Sequence, residues 1–334
     1  MRPDFADTLR CPRCRHPRPF AVRAEATDAT EIRTGTLTCG RCDHVAAIRD
    51  GIVDLLHDPP DFVVREAAGL ARFADVMRAD GWTKEDVVAL PHRHDGYWYA
   101  QGVLMDQVLD QVPFEPGATI LDLGSNTCWA TATFAQRGLR ATALDIADHE
   151  MQGLRTADWQ FEAKGVFFER VLGVMFDLPF ADATFDHVWA CEVLHHNHRA
   201  NLAATYREAF RVLKPGGSLI VVNEPLRNLR TPKLDPGEEV AAFEGHEHAY
   251  MRHSYTGLAR RAGFQVEVRG PRYHGVFQDV QYRVDETMSL LRIYSTATAV
   301  AVRKSERLRK AVLASRSYLF GGTALHMICT KPSP

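Results

Sequence analysis

From residue 117 onward, short runs of apolar residues alternate with longer segments whose apolar positions follow a helical period. The runs lie at 118–122, 140–144, 184–191 and 218–222, and glycine, proline or acidic residues border them. Strands that alternate with helices form parallel sheets, because a crossover helix returns the chain to the same end of the sheet. The pattern therefore predicts an α/β fold.

The first 116 residues are organised differently. Residues 34–39 and 51–56 have the pattern of short strands, whereas 62–79 and 100–111 place apolar groups at helical spacing. The segment 91–99 between the two helices is dense in aromatic residues and histidines. Two interpretations of this segment stay open: it caps a ligand, or it packs the two helices together.

These patterns predict three domains. A β-rich module occupies residues 1–57, a helical linker or lid 58–115, and the α/β domain 116–334. Within the α/β domain, we predict a helical insertion at 276–320, followed by a final strand at 321–330. The lysines and arginines of the insertion either bind an anionic group or form a solvated helix face.

The composition limits the class of protein. The chain has 334 residues, more than one hydrophobic core usually holds, and its 46% hydrophobic and 25% charged residues are typical of a globular protein. The formal net charge of −2 gives no global field that attracts nucleic acid or anionic lipid. Because we find neither the basic start of a signal peptide nor about 18 consecutive apolar residues, we expect a cytoplasmic protein without a membrane span.

Four of the seven cysteines form two C-x-x-C pairs, Cys11 with Cys14 and Cys39 with Cys42. Two such pairs around a β-rich stretch bring four thiolates together, as in tetrahedral zinc sites. Four protein ligands leave no open position for substrate, so we predict a zinc ribbon with structural Zn²⁺. We expect Gly40 to take a positive φ in the second pair. The alternative is a set of free or redox-active cysteines.

Acidic residues and a glycine turn follow the first two predicted strands of the α/β domain. Asp122 ends the first strand just before Gly124, and Asp145 ends the second strand about 20 residues later. Parallel α/β sheets bind ligands at this edge, and an acid at the second strand suits a ribose diol. The first turn lacks the G-x-G-x-x-G pattern of nicotinamide dehydrogenases.

Three later motifs complete an ordered set. The chain has Asp-Leu-Pro-Phe at 177–180, Phe-Asp-His-Val at 185–188 and Leu-Lys-Pro-Gly-Gly-Ser-Leu at 213–219. With the strand-end acids, this order resembles class I S-adenosylmethionine-dependent methyltransferases of type 11 over about residues 95–334. The resemblance implies a Rossmann-like, seven-stranded methyltransferase sheet and S-adenosyl-L-methionine (SAM) as the cofactor.

The resemblance also implies roles for particular residues. Asp122 and Gly124 match the motif around the methionine part of the cofactor, Asp145 the acid on the ribose, and Asp177 the acceptor of the adenine amine. The complete set of cofactor-binding candidates is Asp122, Gly124, Ser125, Asn126, Asp145, Ile146, Asp177, Leu178, Cys191, Glu192 and Tyr97. Asn126 and Cys128 stand where the family has glycines, and asparagine tolerates left-handed backbone better than most residues.

Histidines cluster after the fourth and fifth predicted strands of the α/β domain. Methyl transfer requires an aligned acceptor and, where the acceptor carries a proton, a base, and histidine titrates near neutral pH. The catalytic candidates are His195, His196, Glu224, His246 and His248, with His195 or His196 as the base. Packing of these histidines, or a second metal bound by them, are the alternatives.

Three functions stay open. The leading one is methyl transfer to the oxygen, nitrogen or carbon of a small molecule, in bacterial specialised metabolism. The second is methylation of a ribosomal or transfer RNA base, with the zinc ribbon recognising RNA. The near-neutral charge makes nucleic acid the weaker partner. The third is a SAM-binding protein without catalysis that recruits a partner. A homodimer is possible.

Overall fold

The computed structural model describes residues 1–17, 20–92, 96–229, 248–269 and 324–333, together with Ser305 and Arg307. The predicted insertion at 276–320 lies outside the described residues apart from Ser305 and Arg307, and so does His246.

The amino-terminal module is a four-stranded antiparallel meander preceded by a 3₁₀ turn at Pro3–Thr8. Its strands are β1 (Phe20–Thr27), β2 (Ile32–Cys39), β3 (Val45–Arg49) and β4 (Ile52–Asp54). Asp50 and Gly51 connect β3 to β4 with φ of 51° and 78°. A two-residue turn with both φ values positive matches the twist of the flanking strands, which explains the Asp-Gly pair.

Three helices follow the meander: α1 (Asp61–Ala79), α2 (Lys84–Val88) and α3 (Gly96–Gln111). Helix α1 buries Val63, Ala74 and Met77 along one face. At the start of α2, Thr83 and Asp86 form a capping box, in which each side chain accepts a hydrogen bond from the other residue's backbone N–H.

The remaining elements alternate as the apolar pattern predicts. They are β5 (Thr119–Leu123), α4 (Trp129–Gln136), β6 (Arg140–Asp145), α5 (Thr156–Lys164), β7 (Glu169–Leu172), β8 (Phe185–Cys191), α6 (Arg199–Val212), β9 (Leu213–Pro225), α7 (Arg252–Arg261), β10 (Gln265–Arg269) and β11 (Ala324–Thr330). None of the described helices has both the length and the apolar content that crossing a bilayer requires.

The seven strands β5 to β11 form the predicted α/β sheet, in the order β7-β6-β5-β8-β9-β11-β10. The pairs from β7 to β9 are parallel, and β11 is antiparallel to both of its neighbours. The prediction of a Rossmann-like methyltransferase sheet is therefore confirmed. The carboxyl ends of β5 to β9 meet at one edge.

The amino-terminal module continues this sheet. Strand β4 pairs in parallel with β7, with Ile52 opposite Arg170 and Val53 opposite Val171, so the strands of the described residues form one eleven-stranded sheet. Strand β4 thereby covers backbone groups that an edge strand would leave unpaired. One hydrophobic core includes Leu37 of the module and Phe180 of the α/β domain. The module is thus an integral part of the fold.

Candidate cofactor site and cysteine cluster

The four sulfur atoms of Cys11, Cys14, Cys39 and Cys42 lie within 4.8 Å of one another. The Sγ atoms of Cys11 and Cys42 are 3.6 Å apart, and those of Cys14 and Cys39 are 3.8 Å apart. Tetrahedral zinc with Zn–S bonds of about 2.3 Å needs sulfur–sulfur distances of about 3.8 Å, whereas a disulfide bond is about 2.05 Å long. These free thiols fit zinc, and no other His, Cys or carboxylate group among the described residues has a geometry for a metal.

The backbone turns around the cluster right after each cysteine pair. Arg15 and Asp43 have φ of 56° and 55°. The prediction that Gly40 takes the left-handed conformation is wrong, because the residue after the pair takes it instead. Burial raises the pKa of Cys39, but hydrogen bonds from the backbone N–H groups of Arg41 and Cys42 outweigh burial and lower that pKa to about 7.

A cleft lies at the carboxyl ends of β5 to β8, beside α1, with an empty volume of about 690 Å³ that is partly open to solvent. Gly124 lies in the turn after β5 with φ of 64°, and a Cβ atom there would come within 2.2 Å of Val193 Cγ2. Glycine therefore lets the loop after β8 approach this turn. The predicted cofactor residues that line the cleft are Gly124, Asn126, Asp145, Ile146 and Glu192.

The Asp145 carboxylate is at the centre of these residues. It accepts hydrogen bonds from the backbone N–H groups of Asn126 (2.8 Å) and Ala147 (3.0 Å), which fix its position at the end of β6. Asn126 has φ of 44°, so this asparagine does take a left-handed backbone. Burial raises the pKa of Asp145 to about 6, against the effect of these N–H groups.

The candidates Asp122, Ser125 and Cys191 do not line the cleft. Asp122 is buried and accepts a hydrogen bond from Thr131 Oγ1 at 2.5 Å, and burial raises its pKa to about 7. Ser125 is buried as well, and Cys191 Sγ lies 3.8 Å from Gln101 Oε1. Tyr97 is in the first turns of α3, and its side chain is outside the described atoms.

Asp177 and Leu178 also lie elsewhere, although residues 173–176 just before them line the cleft. The Asp177 carboxylate forms ion pairs with Arg10 (2.8 Å) and Arg15 (2.8 Å) of the amino-terminal module. Leu178 is fully buried. The carboxylate is thus bound to two arginines that are distant in sequence, and its adenine contact stays a prediction.

Glu224 and His195 hold a loop and do not face the cleft. Glu224 is fully buried and accepts hydrogen bonds from the backbone N–H groups of Val193 (2.7 Å), Leu194 (2.8 Å) and His195 (3.1 Å). Its carboxylate is also 3.1 Å from His195 Nδ1. A carboxylate with four such partners fixes the 3₁₀ turn Leu194–His196. The two residues thus fix the loop after β8, and their part in catalysis stays a prediction.

His196 is the predicted histidine that lines the cleft. Its Nδ1 atom lies 2.5 Å from Oε1 of Glu66, a residue of α1 that also lines the cleft. Our sequence interpretation missed Glu66. A signal was present, because position 66 interrupts the apolar spacing of Val63, Leu70 and Ala74, and a charged residue on a buried helix face is uncommon.

The second histidine segment contacts the first through its backbone. The N–H of His248 donates to the carbonyl oxygen of His195 at 2.7 Å, and the rings of His248 and His198 lie with their centroids 4.2 Å apart. His246 lies outside the described residues. His248 thus supports the loop after β8.

Glu192 is a third carboxylate residue that lines the cleft, after Asp145 and Glu66. It accepts hydrogen bonds from Gln101 Nε2 at 2.7 Å and from Asn223 Nδ2 at 2.5 Å. Both Glu192 and Asn223 have left-handed backbones, with φ of 50° and 56°. Non-glycine residues seldom adopt this conformation, so the backbone that carries these two side chains is locally strained.

In a comparison with known proteins, two segments of the chain match protein families. Residues 121–221 match the family described as a methyltransferase domain, and residues 2–51 match the Trm112p-like protein family. The two matches fall on the α/β domain and on the module with the cysteine cluster.

Curated relatives match parts of the chain. The 27-O-demethylrifamycin SV methyltransferase of Amycolatopsis mediterranei is 31% identical over 138 residues, which are 38% of this chain and 48% of the relative. The demethylmenaquinone methyltransferase of Tropheryma whipplei is 33% identical over 105 residues, 31% of this chain and 41% of the relative. The chain spans about half the length, or less, of these two relatives.

A solved structure with the same fold is the (4+2)-cyclase SpnF. It has a TM-score of 0.51 and 18% sequence identity, and the match covers 84% of this chain and 99% of SpnF. The sheet order and the strand-end cleft agree with the match of residues 121–221 to the methyltransferase-domain family, and the cysteine cluster agrees with the match of residues 2–51 to the Trm112p-like family.

Proposed function

We propose that the chain transfers the methyl group of SAM to a small-molecule acceptor. The observation that carries the proposal is the position of Asp145, which faces the cleft beside the glycine turn after β5. An acid at this strand end is suited to a ribose diol. Two relatives whose names give small-molecule substrates, and the net charge of −2, support the acceptor class.

Bound SAM supplies an electrophilic methyl group on a positively charged sulfur. The chain contributes binding and alignment. The Asp145 carboxylate would accept hydrogen bonds from the ribose hydroxyls, and the apolar side chains of Val174, Met175 and Phe176, which line the cleft, would hold the base. Glu192, fixed by Gln101 and Asn223, faces the same cleft and orients polar groups of the cofactor or acceptor.

For an acceptor that carries a proton, His196 is the base. Oε1 of Glu66 lies 2.5 Å from Nδ1 of His196, and a carboxylate at this nitrogen favours the tautomer whose Nε2 can take the acceptor proton. Glu66 is then the positioning residue of this histidine. The burial of His195 and its contact with Glu224 support His196 over His195 as this base.

Calorimetry with S-adenosylhomocysteine (SAH), the demethylated product, tests cofactor binding. Asp145→Ala removes acceptors that are each worth about 1.5–3 kcal/mol in charge-assisted hydrogen bonds, so SAH affinity should fall at least about tenfold. Asp110→Ala, an exposed position on α3, is the matched control and should bind normally. Equal affinity of wild type and Asp145→Ala would contradict the proposed cofactor site.

A second candidate function is methylation of a ribosomal or transfer RNA base, which the Trm112p-like match of residues 2–51 favours. Radiolabelled SAM incubated with separate RNA and small-molecule extracts distinguishes the two acceptors. Label in the small-molecule fraction supports the leading proposal, and label in RNA supports the second. SAH binding without label in either fraction would favour the third function, a non-catalytic cofactor-binding protein.

We also propose that Zn²⁺ occupies the cysteine cluster in a structural role, because all four ligand positions are filled by protein. The domain boundaries at 57 and 115, the cytoplasmic location and a homodimer stay predictions. Ultracentrifugation of the purified chain tests the homodimer.

A further inference from the structure

The arginines on either side of the first cysteine pair both bind Asp177. Arg10 precedes Cys11 and Arg15 follows Cys14. Arg10 Nη2 donates to Asp177 Oδ1 and Arg15 Nη2 donates to Asp177 Oδ2, each at 2.8 Å. One carboxylate is therefore shared by two arginines that the same knuckle carries.

Backbone contacts hold the chain just after Asp177 as well. The N–H of Arg10 donates to the carbonyl oxygen of Pro179 at 3.0 Å, and the N–H of Ala181 donates to the carbonyl oxygen of Thr8 at 2.8 Å. The guanidinium of Arg10 also donates to the carbonyl oxygen of Leu178 at 3.0 Å. The module thus binds segment 177–181 through both side chain and backbone.

The same segment runs directly into the wall of the cofactor cleft. Residues 173–176 line the cleft, and Phe176 is the neighbour of Asp177. The ring of Phe176 lies 5.9 Å from the ring of Phe62 on α1, which lines the cleft too. Release of Asp177 would therefore loosen the wall that borders the cofactor.

The two arginines differ in exposure. The side chain of Arg10 is 11% exposed, whereas that of Arg15 is 67% exposed. Water screens the exposed pair and competes for its partners, so exposed ion pairs contribute little. Arg10 is also bonded to Glu208 Oε2 at 2.9 Å, and this same oxygen accepts from the N–H of Leu178 at 2.9 Å. Arg10 is thus the stronger of the two contacts.

From this geometry we infer that Arg10 and Arg15 are positioning residues for the cofactor. They fix the 173–181 segment, and the cysteine cluster fixes them. A metal bound by Cys11 and Cys14 would then raise the affinity for SAM, although no ligand of the metal lines the cleft. The inference rests on the proposed cofactor site.

Calorimetry with SAH on the full, zinc-loaded chain tests this inference. Arg10→Ala should weaken SAH binding about tenfold, and Arg15→Ala about threefold or less. Arg13→Ala is the matched control, because Arg13 lies in the same knuckle and its described hydrogen bond is to the carbonyl oxygen of Cys42. It should bind SAH like wild type.

Asp177→Asn tests the same contact from the other partner. It keeps the size of the side chain and removes the charge that pairs with the two arginines. We expect the same weakening as in Arg10→Ala, and no further weakening when the two changes are combined. Hydrogen exchange should rise in residues 173–181 in each variant.

The outcomes separate the two proposals. Wild-type SAH affinity in both Arg10→Ala and Asp177→Asn would overturn the inference and leave the proposed function intact. A wild-type chain that does not bind SAH would overturn both.

Discussion

The two ends of the cofactor cleft are held by contacts between residues whose separations in the sequence differ greatly. At the end with His196, Glu224 holds the loop after β8 from the neighbouring strand, about 30 positions away (29–31). At the end with residues 173–176, Arg10 and Arg15 hold Asp177 from 167 and 162 positions away. The first contact lies within the α/β domain, and the second joins two family segments.

The difference means that the cleft depends on two modules. The loop with His196 needs only strands β8 and β9, which pair with each other directly. The segment 173–181 is contacted by residues 8–15 of the amino-terminal module, and strand β4 of the module pairs with β7 just before this segment. Disturbance of the amino-terminal module should therefore affect the end of the cleft with residues 173–176 more than the end with His196.

Loss of the metal site should have the largest effect. Cys39→Ser combined with Cys42→Ser should abolish zinc binding, because two of four ligands are lost, and structural zinc contributes about 10–16 kcal/mol in small zinc modules. Elemental analysis should show about one zinc per wild-type chain and none in the variant. Hydrogen exchange should rise more in 173–181 than in 192–197.

Cys329→Ala is the control for this experiment, since Cys329 is buried in β11 outside the cluster. It should keep its zinc. A wild-type protein that is folded and free of metal would contradict the structural role of zinc.

Removal of the Glu224 carboxylate should disturb the opposite end of the cleft. Glu224→Ala leaves the N–H groups of Val193, Leu194 and His195 without their acceptor, and each unsatisfied buried donor costs about 1–3 kcal/mol. The free energy of unfolding in urea should fall by at least about 3 kcal/mol. Hydrogen exchange should rise more in residues 192–197 than in residues 173–181.

The control for Glu224 is Glu162→Ala. The Glu162 side chain is 73% exposed and pairs with Lys84 at the surface, so the change should cost less than about 1 kcal/mol. Equal unfolding energies for Glu224→Ala and Glu162→Ala would show that the buried carboxylate does not hold the loop.

The same comparison explains what the sequence could reveal. The parallel sheet, the Gly124 turn and Asp145 follow from local patterns, because period, turn residues and strand ends are properties of neighbouring positions. The pairing of β4 with β7 and the ion pairs of Asp177 depend on how two modules meet, which no local pattern encodes. For that reason the two arginine partners of Asp177 could not be predicted, and its adenine contact stays a prediction. The loop role of Glu224 depends on burial, which its position at a strand end does not reveal.

The pH dependence of SAH binding should report the ionisation of the Asp145 carboxyl group. Its pKa is raised to about 6 by burial, above the value near 3.9 of an unfolded chain. Between about pH 4 and 6, Asp145 is therefore more protonated in the folded, cofactor-free protein than in the unfolded chain. Its contribution to the free energy of unfolding decreases as the pH rises through this range. SAH needs the ionised carboxylate, so its affinity should fall as the pH drops through about 6.

Calorimetry from pH 5 to 8 checks this expectation, with Asp145→Asn as the variant and Asp110→Asn as the control. The pH dependence should be lost in Asp145→Asn and kept in Asp110→Asn. A wild-type affinity that is constant across this range would contradict the ribose contact. The change should appear as a few-fold weakening near pH 6 and about tenfold near pH 5, since one proton is involved.

The smallest effect concerns the proton on the ring of His196, at the end of the cleft that Glu224 holds. Because Glu66 Oε1 lies 2.5 Å from Nδ1, the neutral ring should carry its proton on Nδ1 and leave Nε2 as the acceptor. Nitrogen NMR of labelled histidine, assigned with His196→Gln, reports this tautomer. Glu66→Ala should shift the population toward the Nε2–H form, and Glu66→Gln should retain the Nδ1–H form because its amide oxygen still accepts. A wild-type ring protonated mainly on Nε2 would show that Glu66 does not orient a base, and Glu66 would then be a packing residue of α1.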